Sequence, residues 1–360
     1  MKVLVLSNFG MGLYKFRKEL LEELIKKGYE VFISLPNDEY VPLLENLGCK
    51  YIESNVDRRG ANPIVDMNLL FFYINIINKI KPDIVLTYTI KPNLYGGIAC
   101  RITKTPYLPN ITGLGSALEN EGFKQKIALK LYKIALIDAE CIFFQNEPNR
   151  QFFIDRRIIT NKSKVIPGSG VNLEQHCYEE YPNDKNKICF LFAGRIMKEK
   201  GIDELLEAAR QIKLIYENVE FHLVGFCEEE YSEKLRELND SGIINYHGKQ
   251  DDVHNFIKEA HATILPSYHE GISNVLLESA STGRPILASN VTGCKETFDD
   301  GISGIGFEVK SVKALVNAIQ QFLDLPHEKK KEMGIAGRKK MEQEYDRKNV
   351  INAYLEEINR

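Results

Sequence analysis

The chain has 360 residues, of which 44% are hydrophobic and 27% are charged, and its formal net charge is −3. This length exceeds what one hydrophobic core organises, and the ordinary composition excludes a disordered chain, so two globular domains are expected. The first 175 residues hold 23 Lys and Arg against 18 Asp and Glu, while the remainder has 24 against 32, an asymmetry that favours an anionic partner for the first half.

Strand-like and helix-like stretches alternate through the first half. Residues 2–7 form an apolar run that predicts a first strand and not a signal peptide, because it breaks at glycine without a cleavage site. A glycine-bearing turn at 8–12, a helix at 14–27 and a strand at 30–35 then complete a βαβ opening. Further strands are predicted at 83–88, 107–111 and 140–145. This order predicts a parallel sheet covered by helices.

The alternation lapses near 166–185, where Pro167, Gly168 and Gly170 precede a polar stretch with Pro182, Asp184 and Lys185, and this predicts an inter-domain linker. Strand-like runs then restart, at 188–193, 219–224, 243–247, 262–266, 285–289 and 305–309. We therefore predict an α/β protein with two doubly wound domains, at 1–170 and 171–345, whose carboxyl strand ends face a ligand-binding cleft. A last helix at 346–360 is expected to pack back on the first domain.

The strongest local signal is the segment AGRIMKEKG at 193–201, directly between a strand and a helix. Gly194 and Gly201 let the backbone approach an anion, and Arg195 and Lys200 neutralise the charge of a diphosphate. The start of the following helix adds free N–H groups and a favourable dipole. The alternative is an ordinary solvated basic loop.

A second signal follows the strand at 262–266, where Glu270 and Glu278 are separated by seven residues across a turn and the start of a helix. Carboxylates here accept hydrogen bonds from sugar hydroxyls, and the backbone N–H groups of Ile272, Ser273 and Asn274 are positioned to face a phosphate. Such a spacing of glutamates is common, so it gains weight only beside the first signal.

In this order the two segments resemble the family-4 retaining glycosyltransferases of the GT-B fold, and the resemblance covers essentially the whole chain. Residues 193–201 match the phosphate-binding block of that family, 270–278 its E-x7-E motif, and KPDIV at 81–85 its first-domain strand signature. The segments TYTIKPN at 87–93 and ITGLG at 111–115 are similar to bacterial enzymes that build undecaprenyl-diphosphate-linked glycans, often from UDP-N-acetylhexosamines.

The resemblance implies a UDP-sugar donor, a lipid-linked glycan or saccharide acceptor, and a role for each matching residue. The residues implied to bind the donor diphosphate are Gly194, Arg195 and Lys200. The residues implied at the donor sugar and phosphates are Glu270, Gly271, Ile272, Ser273 and Asn274. Glu278 is implied to bind the ribose, Gly248 and Lys249 the base. Gly10 and Gly12 match a glycine loop that closes on the donor phosphate.

Two departures from the family concern histidines. Many relatives carry a histidine where this chain has Ile90, and another where it has Thr112-Gly113. Any step that needs such an imidazole must use Lys91 or backbone groups near Gly113, or proceed without a substitute.

No metal and no cofactor beyond the donor are expected. The pairs Asp251-Asp252 and Asp299-Asp300 are adjacent carboxylates that point to different faces, and the seven histidines show no ligand spacing. The segment Gly10-x-Gly12 lacks the third glycine and the acidic residue after the second strand that a dinucleotide site needs. A nucleotide-sugar 2-epimerase and a hinge-bending sugar-binding protein are alternatives, but the first needs an acid/base pair and the second an export signal.

Localisation is predicted from charge and cysteine usage. Seven scattered cysteines without a CxxC pair predict buried thiols in a reducing cytoplasm. Lys126, Lys130 and Lys133 fall on one face of a predicted helix and favour peripheral contact with an anionic membrane, against the alternative of a solvated basic face. The expected location is therefore the cytoplasm at the inner face of the cell membrane, and no nucleic-acid partner is expected.

Overall fold

The computed structural model describes residues 1–56, 62–113, 122–183, 187–227 and 229–360, without the side chains of Phe123, Lys124 and Glu229. Leu114 and Gly115 of the second family-like segment, and Asp184 and Lys185 of the predicted linker, lie outside these residues. The chain forms two compact units, one of Met1–Ser169 with Asn349–Arg360 and one of Gly170–Lys348.

The first unit is a parallel sheet of seven strands in the order β3-β2-β1-β4-β5-β6-β7. These strands are Lys2–Leu6 (β1), Glu30–Leu35 (β2), Lys50–Glu53 (β3), Ile84–Tyr88 (β4), Tyr107–Ile111 (β5), Ile142–Phe144 (β6) and Ser163–Val165 (β7). Its helices are Gly10–Lys26 (α1), Val41–Asn46 (α2), Pro63–Ile80 (α3), Gly97–Thr103 (α4), Phe123–Leu136 (α5) and Glu147–Asp155 (α6). A π-helical turn, Pro92–Gly96, leads into α4.

Strand alternation places apolar side chains on both faces of this sheet. In β1, Val3 and Val5 join one buried cluster and Leu4 and Leu6 the other. Because helices cover both faces, the strand is apolar and buried from Val3 to Leu6, as expected for a parallel sheet.

Helix α1 begins at Gly10, four residues before the predicted start, so the prediction of a turn through residues 10–12 was wrong. The Asp38 carboxylate accepts a hydrogen bond from the Gly10 amide at 2.6 Å. A carboxylate there satisfies an otherwise unpaired N–H group and is favoured by the helix dipole, so the helix extends to the glycine. Asp38 follows β2, and this long-range contact has no local sequence signature.

The second unit is a parallel sheet of six strands in the order β10-β9-β8-β11-β12-β13. These strands are Ile188–Ala193 (β8), Val219–Val224 (β9), Asn245–Tyr246 (β10), Ala262–Leu265 (β11), Ile286–Ser289 (β12) and Gly304–Phe307 (β13). Its helices are Ile202–Lys213 (α7), Ser232–Asp240 (α8), His254–Glu259 (α9), Asn274–Ser281 (α10), Val312–Leu323 (α11) and His327–Glu344 (α12). The prediction of two doubly wound α/β sheets is confirmed.

Each sheet reverses its strand order once, between β1 and β4 in the first unit and between β8 and β11 in the second. Ligands of doubly wound sheets bind outside the carboxyl ends of the strands at such a reversal. The loop after β8 carries Arg195 and Lys200, and the loop after β11 carries Glu270, so the topology of the second unit brings the two predicted segments to one place.

The last helix, Arg347–Ile358 (α13), packs most of its length on the first unit. Tyr354 is fully buried, its ring lies 4.4 Å from that of Phe143, and its hydroxyl accepts a hydrogen bond from Asn110. Glu357 is buried and pairs with Lys162 and Lys164. Among the described residues, no helix combines the length and the apolar character needed to cross a membrane.

Candidate donor site in the second unit

Lys200 and Glu270 meet at the strand-order reversal. The Lys200 ammonium contacts the Glu270 carboxylate, and the side chains are only 21% and 14% exposed. The Ser267 hydroxyl donates to the same Glu270 oxygen at 2.8 Å. A partly buried ion pair fixed by a third group holds both side chains in one orientation, which is the preorganisation that an anion-binding site requires.

The two loops can approach this closely because residue 201 is a glycine. Gly201 has a φ of 68°, and a Cβ there would lie 2.1 Å from the carbonyl oxygen of Pro266. The backbone amide of Tyr268 also donates to the carbonyl of Glu199 at 2.9 Å. Any other residue at 201 would separate the loops and with them Lys200 from Glu270.

Arg195 lies on the same loop as Lys200 and is exposed. It forms no ion pair or hydrogen bond with the residues that the structure describes, so its guanidinium is available to an anion.

Three glycines pack closely at the ends of the neighbouring strands. The backbone of Gly225 lies against Gly194, because a Cβ at residue 225 would lie 1.8 Å from the Gly194 carbonyl oxygen. Gly225 in turn donates to the carbonyl of Gly248 at 2.8 Å. Glycines thus bring the ends of β8, β9 and β10 together.

The residues predicted at the base and the ribose lie on either side of this centre. Gly248 and the exposed Lys249 follow β10. Glu278 lies on α10, is 20% exposed, and has one carboxylate oxygen 4.0 Å from Nε2 of His176. The sequence prediction did not include His176. Burial and the neighbouring His222 lower the pKa of His247, which precedes the Gly248 turn.

The predicted phosphate-facing amides stand at the start of α10. Ser273 is the residue before the helix, it is buried, and its amide donates to the carbonyl of Gly293 at 2.9 Å. Ile272 is also buried, while Gly271 and Asn274 are half-buried. The Ser273 amide is therefore engaged inside the protein, and the predicted phosphate contact depends on its neighbours.

Several side chains that support this site were missed from the sequence. Tyr268 donates to the Glu204 carboxylate at 2.9 Å, and the Lys310 ammonium lies 4.7 Å from the centre of its ring. Burial, followed by the contact with Glu204, raises the pKa of Tyr268. Of these residues only Tyr268 is in a segment that the sequence singled out. The one local signal that could have pointed to these contacts is a glycine directly after a strand, as at Gly225.

The first unit holds Gly10, Gly12 and the residues considered as substitutes for the missing histidines. The Gly10 amide donates to the Asp38 carboxylate, so a phosphate contact by this amide would have to displace Asp38. Lys91 pairs with Asp66 at 2.6 Å and both side chains are largely buried, so Lys91 is also engaged within this unit. Thr89, one residue before Ile90, has a φ of 72°, a strained conformation for a branched residue.

Donor atoms that could hold a metal are grouped at residues other than the acidic pairs that the sequence analysis rejected. Two groups in the described part of the chain place three such atoms within 4.8 Å of one another: Cys177, Glu179 and His254, and Cys189, Glu220 and His222. Histidines without a ligand spacing in the sequence are thus brought beside cysteine and glutamate by the fold.

Two family models match successive parts of the chain. Residues 2–146 match the model described as glycosyl transferase 4-like, and residues 178–340 match glycosyl transferases group 1. The second match contains every residue of the Lys200 and Glu270 loops, together with Gly248 and Glu278.

Named relatives and solved structures agree with these models. The chain is 29% identical to an N,N'-diacetylbacillosaminyl-diphospho-undecaprenol alpha-1,3-N-acetylgalactosaminyltransferase of Campylobacter jejuni, over 90% of each chain. It is 27% identical to the UDP-Gal:alpha-D-GlcNAc-diphosphoundecaprenol alpha-1,3-galactosyltransferase of Escherichia coli, over 85% and 86% of the two chains. Anabaena HepE in complex with UDP-glucose superposes with a TM-score of 0.81 at 18% identity, over 99% and 98% of the two chains. The chain is therefore a glycosyltransferase of the GT-B fold, in which residues 2–146 match the glycosyl transferase 4-like model and residues 178–340 match the group 1 model.

Proposed function

We propose that this glycosyltransferase transfers an N-acetylhexosamine from a UDP-sugar to an undecaprenyl-diphosphate-linked glycan or related saccharide, with retention of configuration at the anomeric carbon. The observation that carries the proposal is the Lys200–Glu270 pair at the strand-order reversal, beside the exposed Arg195. The donor and acceptor classes are supported by the names of the relatives, which act on diphospho-undecaprenol acceptors.

The cations of the β8 loop account for the chemistry without a metal. The bond from the anomeric carbon to the diphosphate oxygen breaks, and the acceptor oxygen forms its bond on the same face of the sugar. The acceptor proton passes to the leaving diphosphate, whose growing charge is stabilised by Arg195 and Lys200. Glu270 holds Lys200 in place and accepts a hydrogen bond from a sugar hydroxyl.

Chelator-treated enzyme tests this proposal directly. UDP release from UDP-N-acetylhexosamines, measured with and without a diphospho-undecaprenol-linked saccharide, is expected to depend on the acceptor and to persist in EDTA. NMR of the product is expected to show the anomeric configuration of the donor. Inverted product would contradict the front-face mechanism, activity restored only by Mg²⁺ or Mn²⁺ would contradict the cationic clamp, and absence of transfer from every UDP-sugar would contradict the donor class.

The outer side of α5 supports the proposal that the first unit contacts a membrane. Six side chains are exposed on this side or at the end of the helix: Lys126, Ile127, Lys130, Lys133, Ile134 and Ile137. At 3.6 residues per turn they fall within an arc of about 120°. Lysines beside exposed isoleucines suit the boundary between anionic headgroups and acyl chains, whereas a solvated basic face has no need of the isoleucines.

Helix α3 adds a second apolar stripe on the same side of the sheet, since α3, α4 and α5 all pack on the cluster that contains Tyr73 and Tyr132. Ile64, Met67 and Phe71 recur at helical spacing and are 73%, 50% and 62% exposed. Helix α4 contacts both α3 and α5. We call the exposed residues of α3 and α5 named above the α3–α5 surface, which is apolar on α3 and both apolar and basic on α5.

Charge reversal on α5 is expected to abolish binding to anionic vesicles. Each lysine near an anionic surface contributes about 1 kcal/mol, so Lys126→Glu, Lys130→Glu and Lys133→Glu together should lower the vesicle-bound fraction more than tenfold. Flotation with phosphatidylglycerol vesicles at low salt measures this. Binding of the wild type should also weaken at high salt, where charges are screened within about 3 Å at 1 M.

A matched control carries the same change in charge on the second unit, at the exposed residues Lys313, Lys329 and Lys339. This triple reversal to glutamate is expected to leave flotation near the wild-type level. Equal losses in both triple variants would mean that net charge and not the α3–α5 surface governs binding. No flotation of the wild type would contradict membrane contact itself.

A further inference from the structure

Cys189, Glu220 and His222 form a compact cluster on the second unit's sheet, away from the Lys200 loop. Cys189 of β8 is paired in register with Glu220 of β9, and His222 lies two residues further on, so all three side chains leave the same face. The Cys189 sulfur is 3.7 Å from Oε2 of Glu220, and that oxygen is 3.1 Å from Nε2 of His222. All three donor atoms lie within 4.8 Å of one another.

Two of these separations, 3.7 Å and 3.1 Å, are close to the edges of a tetrahedral zinc site. Zinc binds sulfur at about 2.3 Å and nitrogen or oxygen at about 2.0 to 2.2 Å, which places neighbouring donor atoms about 3.3 to 3.6 Å apart. The donor set also selects the metal, because a thiolate with an imidazole and a carboxylate suits Zn²⁺, whereas Mg²⁺ and Ca²⁺ prefer oxygen alone.

The orientation of His222 is set by a second histidine. Nδ1 of His222 lies 3.0 Å from Nε2 of His247, and the two rings are stacked with an angle of 4° between their planes. With a metal bound, a neutral His222 would donate from Nδ1 to His247 and present the lone pair of Nε2 to the ion beside Glu220 and Cys189. Metal-binding histidines are commonly oriented by such a hydrogen bond from their other nitrogen.

The cluster borders a pocket of about 600 Å³ within the second unit, lined by Cys189, His222, His247 and Phe256 among others. The pocket leaves space for a water as a fourth ligand. Lys187 also lines it and places its ammonium 2.9 Å from Oε2 of Glu220, with its side chain 55% exposed. This exposed cation can move into solvent, so it competes with a metal for Glu220 but does not block the site.

We propose that Cys189, Glu220 and His222 bind one Zn²⁺ ion, with water from the pocket as the fourth ligand. The sulfur binds as a thiolate and its proton is released to solvent, so binding strengthens as pH rises. The ion ties β8 to β9 and, through His222 and His247, to the strand that precedes the Gly248 turn. This site is separate from the Lys200 loop and does not depend on the proposed sugar transfer.

Cobalt titration of the chelator-treated full-length protein tests the site without an activity assay. One equivalent of Co²⁺ is expected to produce the thiolate-to-cobalt absorption in the near ultraviolet, and Zn²⁺ should displace it. Cys189→Ser is expected to remove the band and to weaken Zn²⁺ binding at least tenfold in competition with a chromophoric chelator. His222→Gln should weaken binding as well, which provides a second variant if Cys189→Ser fails to fold.

Two further variants decide where the ion binds. Lys187→Ala removes the competing cation and is expected to tighten Zn²⁺ binding several-fold, an effect opposite in sign to that of a ligand variant. Cys177→Ser alters the other cysteine, glutamate and histidine group and should leave the cobalt spectrum unchanged. Absence of the thiolate band in the wild type, or its loss in Cys177→Ser but not in Cys189→Ser, would overturn the proposal.

Discussion

Lys200→Ala is expected to lower kcat on the order of 100-fold or more, about 2.7 kcal/mol, with a smaller rise in KM. The reason is that charge grows on the leaving diphosphate as the sugar departs, so the ammonium contributes more in the transition state than in the donor complex. Removal of one preorganised donor from an oxyanion site has an effect of this size. Steady-state kinetics with UDP release as the readout measures it.

The structure supplies two controls for this result. Lys198 is an exposed cation two residues earlier, in the same short 3₁₀ turn, so Lys198→Ala should keep near wild-type kinetics if position matters and loop charge does not. The thermal midpoint of Lys200→Ala should also be compared, because the variant leaves Glu270 with Ser267 as its partner. An unchanged kcat in a folded Lys200→Ala enzyme would refute the diphosphate clamp.

Glu278→Ala is expected to weaken UDP binding by about 1.5 to 3 kcal/mol, or roughly 10- to 150-fold in Kd, with a smaller change in kcat. A hydrogen bond from a ribose hydroxyl to a carboxylate has this strength, and the ribose does not react, so ground state and transition state lose it equally. Calorimetry with UDP measures the first effect, and saturating kinetics measures the second.

A second variant of Glu278, whose carboxylate lies beside the imidazole of His176, tests the same hydrogen bond. Glu278→Gln keeps the shape of the side chain and one acceptor oxygen, so it should retain more UDP affinity than Glu278→Ala. Glu332→Ala, at an exposed carboxylate on α12, serves as the control without effect. UDP affinity that is unchanged in Glu278→Ala would remove the ribose assignment, and a large fall in kcat alone would place Glu278 at the reacting sugar.

The order of strands and helices was predictable from the chain alone, because the signals are local. Alternating apolar runs, helical periodicity and glycines at their ends report on neighbours in sequence, and strands such as Ile188–Ala193 and Val219–Val224 were predicted at their observed bounds. The strands β3 and β7 were not predicted, because both are edge strands of the first sheet and their sequences, KYIE and SKV, contain no apolar run.

The pairings between residues distant in the sequence were decided by the tertiary structure alone. Lys200 forms an ion pair with Glu270, 70 positions away, the Gly10 amide donates to Asp38, and Lys91 forms an ion pair with Asp66. Arg284 is fully buried and donates to the carbonyls of Glu179, Glu180 and Lys258, although its surroundings in the sequence show nothing unusual.

The physical reason is that such contacts depend on which strands are neighbours in a sheet. The β8 loop lies beside the β11 loop only because the strand order reverses there, and Cys189 faces Glu220 only because β8 and β9 pair in one particular register. Local periodicity specifies a strand and its buried face, whereas strand order and register are set by the packing of the whole domain.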